Sequence, residues 1–236
     1  MDEMFTRPQS YCYDVKGMNS RKCSSQGLPR FVESIMALGG LVISSPFLIL
    51  SAILIRATSP GPILFKQIRV GLYGKPFELI KFRSMHIKSK GAQVTAKGDY
   101  RVTRVGLVLR KTKLDEIPEL WNVVRGDLSL VGPRPEVPKY VDLENPLWCR
   151  VLKVRPGITD PITMKLRNEE ELLAQQFDPE GYYIRILQPF KLKGYVDYLE
   201  QRTALTDFRI IFETLIAILV PFRTLNPEFE SEARRH

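Results

Sequence analysis

From Ser34 to Ile55 the chain carries no charged residue, and the segment reads SIMALGGLVISSPFLILSAILI. As a straight helix these residues would extend roughly 33 Å, enough to cross the ~30 Å hydrocarbon layer of a bilayer. Two features act against a simple span. Ser44-Ser45-Pro46 sits at the centre, where proline removes a backbone donor and crowds the preceding turn. A break there leaves two limbs of about ten residues each, too short to cross. Both flanks are also basic: Arg21, Lys22 and Arg30 precede the segment, and Arg56, Lys66 and Arg69 follow it. Basic flanks favour the cytoplasmic side, and a span would export one set. A helix that bends at Ser45-Pro46 and returns to its own side satisfies both, while proline kinks are also tolerated in true spans. Physics alone leaves the two topologies open.

Residues 1–30 are polar, with Pro8, Gly17, Gly27 and Pro29 and no apolar period. They read as a leader ahead of a membrane segment at 31–56 and a catalytic domain at 57–236. No small-residue cleavage site follows the apolar run, so it does not read as a signal peptide. The chain holds 35 Lys+Arg against 26 Asp+Glu, a formal charge of +9. A surplus of that size calls for an anionic partner: nucleic acid, phosphorylated substrates or an acidic membrane face. Only two histidines occur, His86 and His236, which argues against a Ser-His-Asp triad or a polyhistidine metal site. Cys12, Cys23 and Cys149 lack metal-ligand spacing. Acid–base or nucleophilic chemistry therefore falls to carboxylates, Lys, Tyr or Ser.

Pro60-Gly61-Pro62 marks a turn out of the apolar segment. Two β-like runs follow at 63–70 and 76–82, separated by Gly71-Leu72-Tyr73-Gly74, a hairpin pattern. Residues 88–103 read as a loop. Apolar residues from Leu107 to Val124 suggest helices around a break, ended by Gly126-Asp127. Further helices are expected at 169–176, 192–201 and 207–219, the last amphipathic enough to lie in a core or along a membrane interface.

The chemistry concentrates in RKTKLDEIPELWNVVRGDLSLVGPRP (110–135). Asp115 and Glu116 stand just ahead of Pro118, a residue favoured in a helix's first turn. A helix N-terminus favours ionised carboxylates, and Arg110, Lys111 and Lys113 nearby would depress their proton affinity further. An oriented, ionised carboxylate among cations suits attack on phosphorus or Mg²⁺ coordination. An isolated acid pair at a helix start is usually no more than a cap. Gly132-Pro133-Arg134-Pro135 changes that weighing, because two prolines stiffen the turn that presents a guanidinium, the side chain best shaped for bidentate phosphate contact.

The run LDEIPELWNVVRGDLSLVGPRP (114–135), with FKQIRVG (65–71), KFRSM (81–85) and VRPGIT (154–159), closely resembles the bacterial sugar transferase family, the monotopic polyprenyl-phosphate phosphoglycosyl transferases. The resemblance extends from about Arg30 to Leu219 with the motifs in order, and the length is similar to the small members. It implies a helix-rich α+β fold: one cytosolic domain, an N-terminal re-entrant membrane helix broken at Ser45-Pro46, and interfacial amphipathic helices. It also implies that Asp115 attacks the β-phosphate of a UDP-sugar, expels UMP and holds the phosphosugar until polyprenyl phosphate takes it. Glu116, with Asp115, would bind Mg²⁺. The substrate-binding residues implied are Lys66 (facing the lipid phosphate), Arg83, Arg110, Pro133, Arg134, Pro135 and Arg155. The expected setting is the cytosolic face of a bacterial inner membrane, at the initiating step of glycoconjugate assembly. The partners are the UDP-sugar, polyprenyl phosphate and membrane lipid, without nucleic acid; a homodimer is left open. The chain departs from the commoner pattern in Thr159-Asp160-Pro161, where many members have Thr-Gly-Trp, and in Glu180 ahead of Tyr182-Tyr183, where many have Asp. Both departures bear on sugar identity.

Lys81 and Arg83 alternate around Phe82, so solvation competes with substrate contact for both. Trp121 reads as core rather than as a ring for uracil. Tyr182 and Tyr183 suit an interface belt or the donor's surroundings. Two other functions share parts of this pattern: a basic membrane-binding module without catalysis, and a Mg²⁺-dependent polyprenyl phosphatase releasing inorganic phosphate.

Overall fold

The computed structural model describes residues 27–87, 94–166 and 169–219. The expected leader lies almost wholly outside these residues, as does part of the 88–103 loop. Helix α1 (Arg30–Thr58) opens the described chain, followed by strands β1 (Leu64–Val70) and β2 (Pro76–Phe82). Next come α2 (Arg104–Thr112), a 3₁₀ turn at Leu114–Glu116, α3 (Glu119–Arg125) and β3 (Ser129–Val131). The chain continues through α4 (Pro146–Val151), β4 (Gly157–Thr159), α5 (Pro161–Lys165) and α6 (Glu169–Ala174). It ends in α7 (Pro179–Tyr182), a π-helical turn Tyr183–Leu187, α8 (Gln188–Gln201) and α9 (Ala204–Leu219). The architecture is helix-rich α+β, with two small sheets among the described residues.

The hairpin forms as expected, antiparallel with Phe65 opposite Lys81 and Lys66 opposite Ile80. Its turn is a 3₁₀ piece in which Tyr73 takes φ 56°. The second sheet is a parallel pair, Ser129 opposite Gly157 and Val131 opposite Thr159. Here two glycines meet backbone to backbone: a Cβ on Gly157 would lie 2.1 Å from the Gly132 nitrogen, and one on Gly132 would lie 2.7 Å from the Arg155 carbonyl oxygen. Absence of side chains at both positions lets the Pro-Arg-Pro turn sit directly on the Arg-Pro-Gly strand.

Three apolar clusters hold the body. The largest gathers Trp148, Leu173, Tyr183, Leu187, Leu192 and Tyr195. The second joins Ala37 of α1 to Val123, Leu128, Leu130 and Leu199. The third joins Ile55, at the other end of α1, to Phe82 and Leu109. Both ends of α1 thus pack on the same globular body. The N-terminal end is fixed further by Glu33, which accepts from the Leu130 amide at 3.1 Å, and the C-terminal end by Arg83, which donates to Pro60 O at 2.7 Å and Ser59 O at 2.9 Å. Between these anchors the outer face of α1 is bare, with Val42, Ile43, Phe47 and Leu50 exposed.

The two-limb expectation at Ser45-Pro46 is corrected at the level of helix continuity. The chain stays helical on both sides of Pro46, so a bend there is a kink within one helix rather than a gap between two. Proline removes one donor only, and the Ser44 hydroxyl bonds back to Gly40 O at 2.6 Å within the turn before it. The helix is long and apolar enough to cross a membrane, with a mean hydropathy of 2.3 over an 18-residue window. Little of that window is buried, unlike a core helix of similar composition. Exposed apolar side chains recur on β1 (Leu64, Phe65), α2 (Leu107, Val108) and α9 (Phe208, Phe212, Leu215). An apolar surface of this extent is a partner-binding or lipid-binding feature rather than ordinary surface.

Candidate active site

Helix α2 ends at Lys113, which takes φ 59°, an uncommon conformation for a residue with a Cβ. The left-handed residue closes α2 and starts the Leu114–Glu116 turn in a new direction, so Asp115 and Glu116 leave the helix line and face β2 and the Pro-Arg-Pro loop. Glu116 is gripped from two sides. Arg134 donates a short hydrogen bond to its Oε1, and the Lys81 Nζ lies 3.5 Å from the same oxygen. Lys81 also pairs at 3.0 Å with Glu119 in the first turn of α3. Arg134 spends another donor on the Ile158 carbonyl at 3.2 Å.

Asp115 differs from its neighbour. Its carboxylate is buried, and Oδ1 makes no hydrogen bond among the described residues. Burial, and after it the charge of Glu116, pushes the Asp115 carboxyl above the usual aspartate range, against the pull of Lys81, Lys113 and Arg110. For Glu116 burial acts the same way, but Arg134 and then Lys81 and Lys113 override it and hold the carboxyl well below its usual range. Glu116 in turn holds the Arg134 guanidinium well above its ordinary value. The expectation that nearby cations depress both acids is therefore corrected: they capture Glu116, and Asp115 is left proton-hungry. A carboxylate with a raised proton affinity is a stronger base and nucleophile once ionised.

Pro133 and Pro135 hold Arg134 through their carbonyls. Pro133 O accepts from the Gly157 amide at 2.9 Å, and Pro135 O accepts from Arg69 Nη1 at 3.0 Å. Arg69 also pairs with Glu136 at 3.3 Å, and the Tyr183 hydroxyl donates to Glu136. The remaining expected site residues lie outside the carboxylate cluster. Lys66 is exposed, pairs with Glu78 at 2.9 Å and points to the opposite hairpin face from Lys81, since adjacent strand positions alternate. Arg110 pairs with Glu170 of α6. Arg83 is buried in the clamp on Ser59 and Pro60. Arg155 faces Glu33 at 3.7 Å and the Ser129 hydroxyl at 3.3 Å, and so ties α1 to the second sheet. Ser45 and Pro46 lie within α1.

Glu119 is a site residue that the sequence did not single out, and for Lys81 the sequence left solvation and substrate contact open. KFRSM offered a lysine beside a phenylalanine, and nothing in that run distinguished solvation from an ion pair to a turn more than thirty residues away. Trp121, expected in the core, is 49% exposed, because α3 turns Val123 and Asn122 inward instead. Tyr183 is buried rather than in an interface belt. Asp160, one of the departures from the commoner pattern, is fully buried and caps α5, accepting from Ile162 N and Thr163 N at 2.7 Å each. Glu180, the other, pairs with Lys139 and accepts from Tyr140 Oη at 2.7 Å.

No cluster of three or more His, Cys, Asp or Glu able to hold a metal occurs among the described residues. Magnesium commonly takes one or two carboxylates and leaves its other positions to water and phosphate. The unpartnered Asp115 Oδ1 beside the Glu116 carboxylate fits that donor set.

The bacterial sugar transferase family model matches residues 24–221. The chain is 36% identical over 181 residues to a UDP-glucose:undecaprenyl-phosphate glucose-1-phosphate transferase of Caulobacter vibrioides, covering 74% of this chain and 63% of that protein. It is 36% identical over 200 residues to a UDP-N-acetylgalactosamine-undecaprenyl-phosphate N-acetylgalactosaminephosphotransferase of Aeromonas hydrophila, covering 83% and 44%. It is 44% identical over 203 residues to the exopolysaccharide production protein PSS of Rhizobium leguminosarum bv. phaseoli, covering 81% and 95%. The chain thus spans less than two thirds of the first two relatives and nearly all of the third. With most of its length inside the family match and the dyad, Pro-Arg-Pro and Arg-Pro-Gly motifs assembled around one site, the chain belongs to the bacterial sugar transferase family.

Proposed function

We propose that this chain transfers a phosphosugar from a UDP-sugar to polyprenyl (undecaprenyl) phosphate, releasing UMP, by way of a covalent intermediate on Asp115. The observation that carries the reading is the asymmetry of the acid pair: Glu116 is neutralised by Arg134 and Lys81, while the buried Asp115 Oδ1 has no hydrogen-bond partner among the described residues. The names of the Caulobacter and Aeromonas relatives support the donor and acceptor classes.

In the first step an Asp115 carboxylate oxygen bonds to the donor's β-phosphorus. The bond from that phosphorus to the bridging oxygen breaks, and UMP leaves with the electron pair. In the second step a phosphate oxygen of the polyprenyl phosphate attacks the same phosphorus and the Asp115 carboxylate departs, giving polyprenyl-diphosphate-sugar. Lys81 and Arg134 lie where they can meet charge building on the transferring phosphoryl group, in a partly buried site where such contacts are strong. Asp115 and Glu116 would hold Mg²⁺, which when bound shields the charge of the donor diphosphate. The two-step route lets one site serve a water-soluble donor and a lipid acceptor in turn.

That division of substrates requires a site at the membrane surface. Both ends of α1 are fixed to one body and its middle is bare, which supports a helix that enters the cytosolic leaflet and returns to the same side at the bacterial inner membrane. The PSS relative, named for exopolysaccharide production, supports a place at the start of glycoconjugate assembly.

Purified protein, Mg²⁺, undecaprenyl phosphate and a panel of UDP-sugars should yield UMP and a lipid-linked product with one of the donors. Asp115→Asn should retain fold and membrane binding and lose at least about a thousandfold in turnover, the scale for removing an attacking group. Release of inorganic phosphate in place of UMP would favour the phosphatase reading, and near-normal turnover by Asp115→Asn would remove the nucleophile. In the pH profile of kcat/KM, which reports the free enzyme, the acid limb should lie above the ordinary aspartate value of about 4. Lys113→Gln removes a cation that favours ionised Asp115, so that limb should move to higher pH. An unmoved or lowered limb contradicts the assignment. Cysteines placed at Met18 and Lys66 should label from the same side of sealed vesicles; opposite-side labelling would establish a span.

A further inference from the structure

We propose that Glu119 is a positioning residue for this reaction, anchoring the Lys81 ammonium beside Asp115 and Glu116 where it meets the donor's diphosphate. The inference rests on the reading above and gives a role to a buried acid which that reading leaves idle.

Glu119 is 1% exposed. Burying a carboxylate costs several kcal/mol unless a partner offsets it, and the partner here is Lys81 at 3.0 Å. Its Oε1 makes no hydrogen bond of regular geometry among the described residues, so the ion pair with Lys81 is what this oxygen has. Lys81 lies between two acids three residues apart, Glu116 at 3.5 Å and Glu119 at 3.0 Å. Glu116 is shared with Arg134, whose fork holds it by a short hydrogen bond, so the closer grip on Lys81 belongs to Glu119, whose charge also reaches Arg134.

A lysine ammonium is a point charge on a flexible stem and strays unless both ends are fixed. Helix α3 fixes both. One turn beyond Glu119, Asn122 accepts from the Ile80 amide at 3.0 Å and donates to Glu78 O at 2.7 Å, pinning the backbone of β2 next to Lys81. Glu119 pins the other end of the same side chain. The helix that follows the acid pair therefore sets where the cation stands relative to that pair.

The test uses UDP, which carries the diphosphate common to all UDP-sugar donors, in its methylene-bridged form, whose P–C–P link resists the cleavage proposed for the donor. Calorimetry with the full chain and Mg²⁺ should show Glu119→Gln binding this analogue about tenfold more weakly than the unmodified protein, the scale of one charge-assisted contact. Lys81→Met should also weaken binding, and the double variant should be no weaker than Lys81→Met alone. Glu119→Asp, which keeps the charge on a shorter arm, should fall between the unmodified protein and Glu119→Gln, and it gives the same reading should Glu119→Gln fail to fold. Unchanged affinity for the analogue in Glu119→Gln with only a lowered melting temperature would reduce Glu119 to a structural role. A full second loss on adding Glu119→Gln to Lys81→Met would show that Glu119 does not act through Lys81. UMP release by the unmodified protein checks the underlying reaction separately, so either of these results can overturn the role of Glu119 with the transferase reading intact.

Discussion

The grip of Arg134 and Lys81 on Glu116 is the interaction on which the site depends. It draws together three pieces of chain that are remote in sequence: strand β2, the 3₁₀ turn after α2, and the loop after β3. It also divides the labour within the acid pair. One carboxylate is committed to two cations, and its negative charge, with burial, raises the proton affinity of the other. Replacing Glu116 with a neutral residue would leave Arg134 with Ile158 O as its remaining hydrogen-bond partner among the described residues and remove the charge that, after burial, most raises Asp115.

Behind that contact the scaffold works by close approach. The Gly132–Gly157 pair seats the Pro-Arg-Pro turn on β4, and the carbonyls of its two prolines are held by the Gly157 amide and the Arg69 guanidinium. Arg69 is half-buried with Glu136, and its desolvation lowers its pKa against the pull of that carboxylate. The motif containing Arg69 thus stabilises the loop. Glu33 extends the same scaffold into α1, since its carboxylate accepts from Leu130 in the strand that leads into Gly132. The apolar helix and the Pro-Arg-Pro loop are one packed unit, which suits the proposed transfer from a soluble donor to a membrane-bound acceptor.

Much of this was legible in the sequence because it is local. The alternation at 63–70 and 76–82 gave the hairpin, Gly126 marked the end of α3, and the Asp-Glu pair with Pro-Arg-Pro marked residues that the fold brings together. What escaped depends on contacts across the fold. Lys81 and Glu119 become site residues only when α3 packs on β2, a contact with no local signature. The family resemblance implied substrate contacts for Arg83 and Arg155; the structure gives Arg83 the Ser59 and Pro60 carbonyls, and Arg155 the Ser129 hydroxyl and the buried Glu33. The direction of the Asp115 shift also needed three dimensions: Arg110 and Lys113 are near in sequence, but Glu116 takes the cations that reach the cluster most directly. Pro46 suggested a broken helix, and the helix accommodates it with one missing donor and a serine back-bond.

The central claim is that Asp115 becomes bonded to phosphorus. Intact-mass analysis of the protein after brief exposure to its productive UDP-sugar and Mg²⁺, without polyprenyl phosphate, tests it most directly. The account expects a mass increase equal to one phosphosugar, mapped to the peptide containing Asp115 and lost on addition of polyprenyl phosphate. Productive transfer with no adduct at Asp115, under conditions that would trap one, would contradict it.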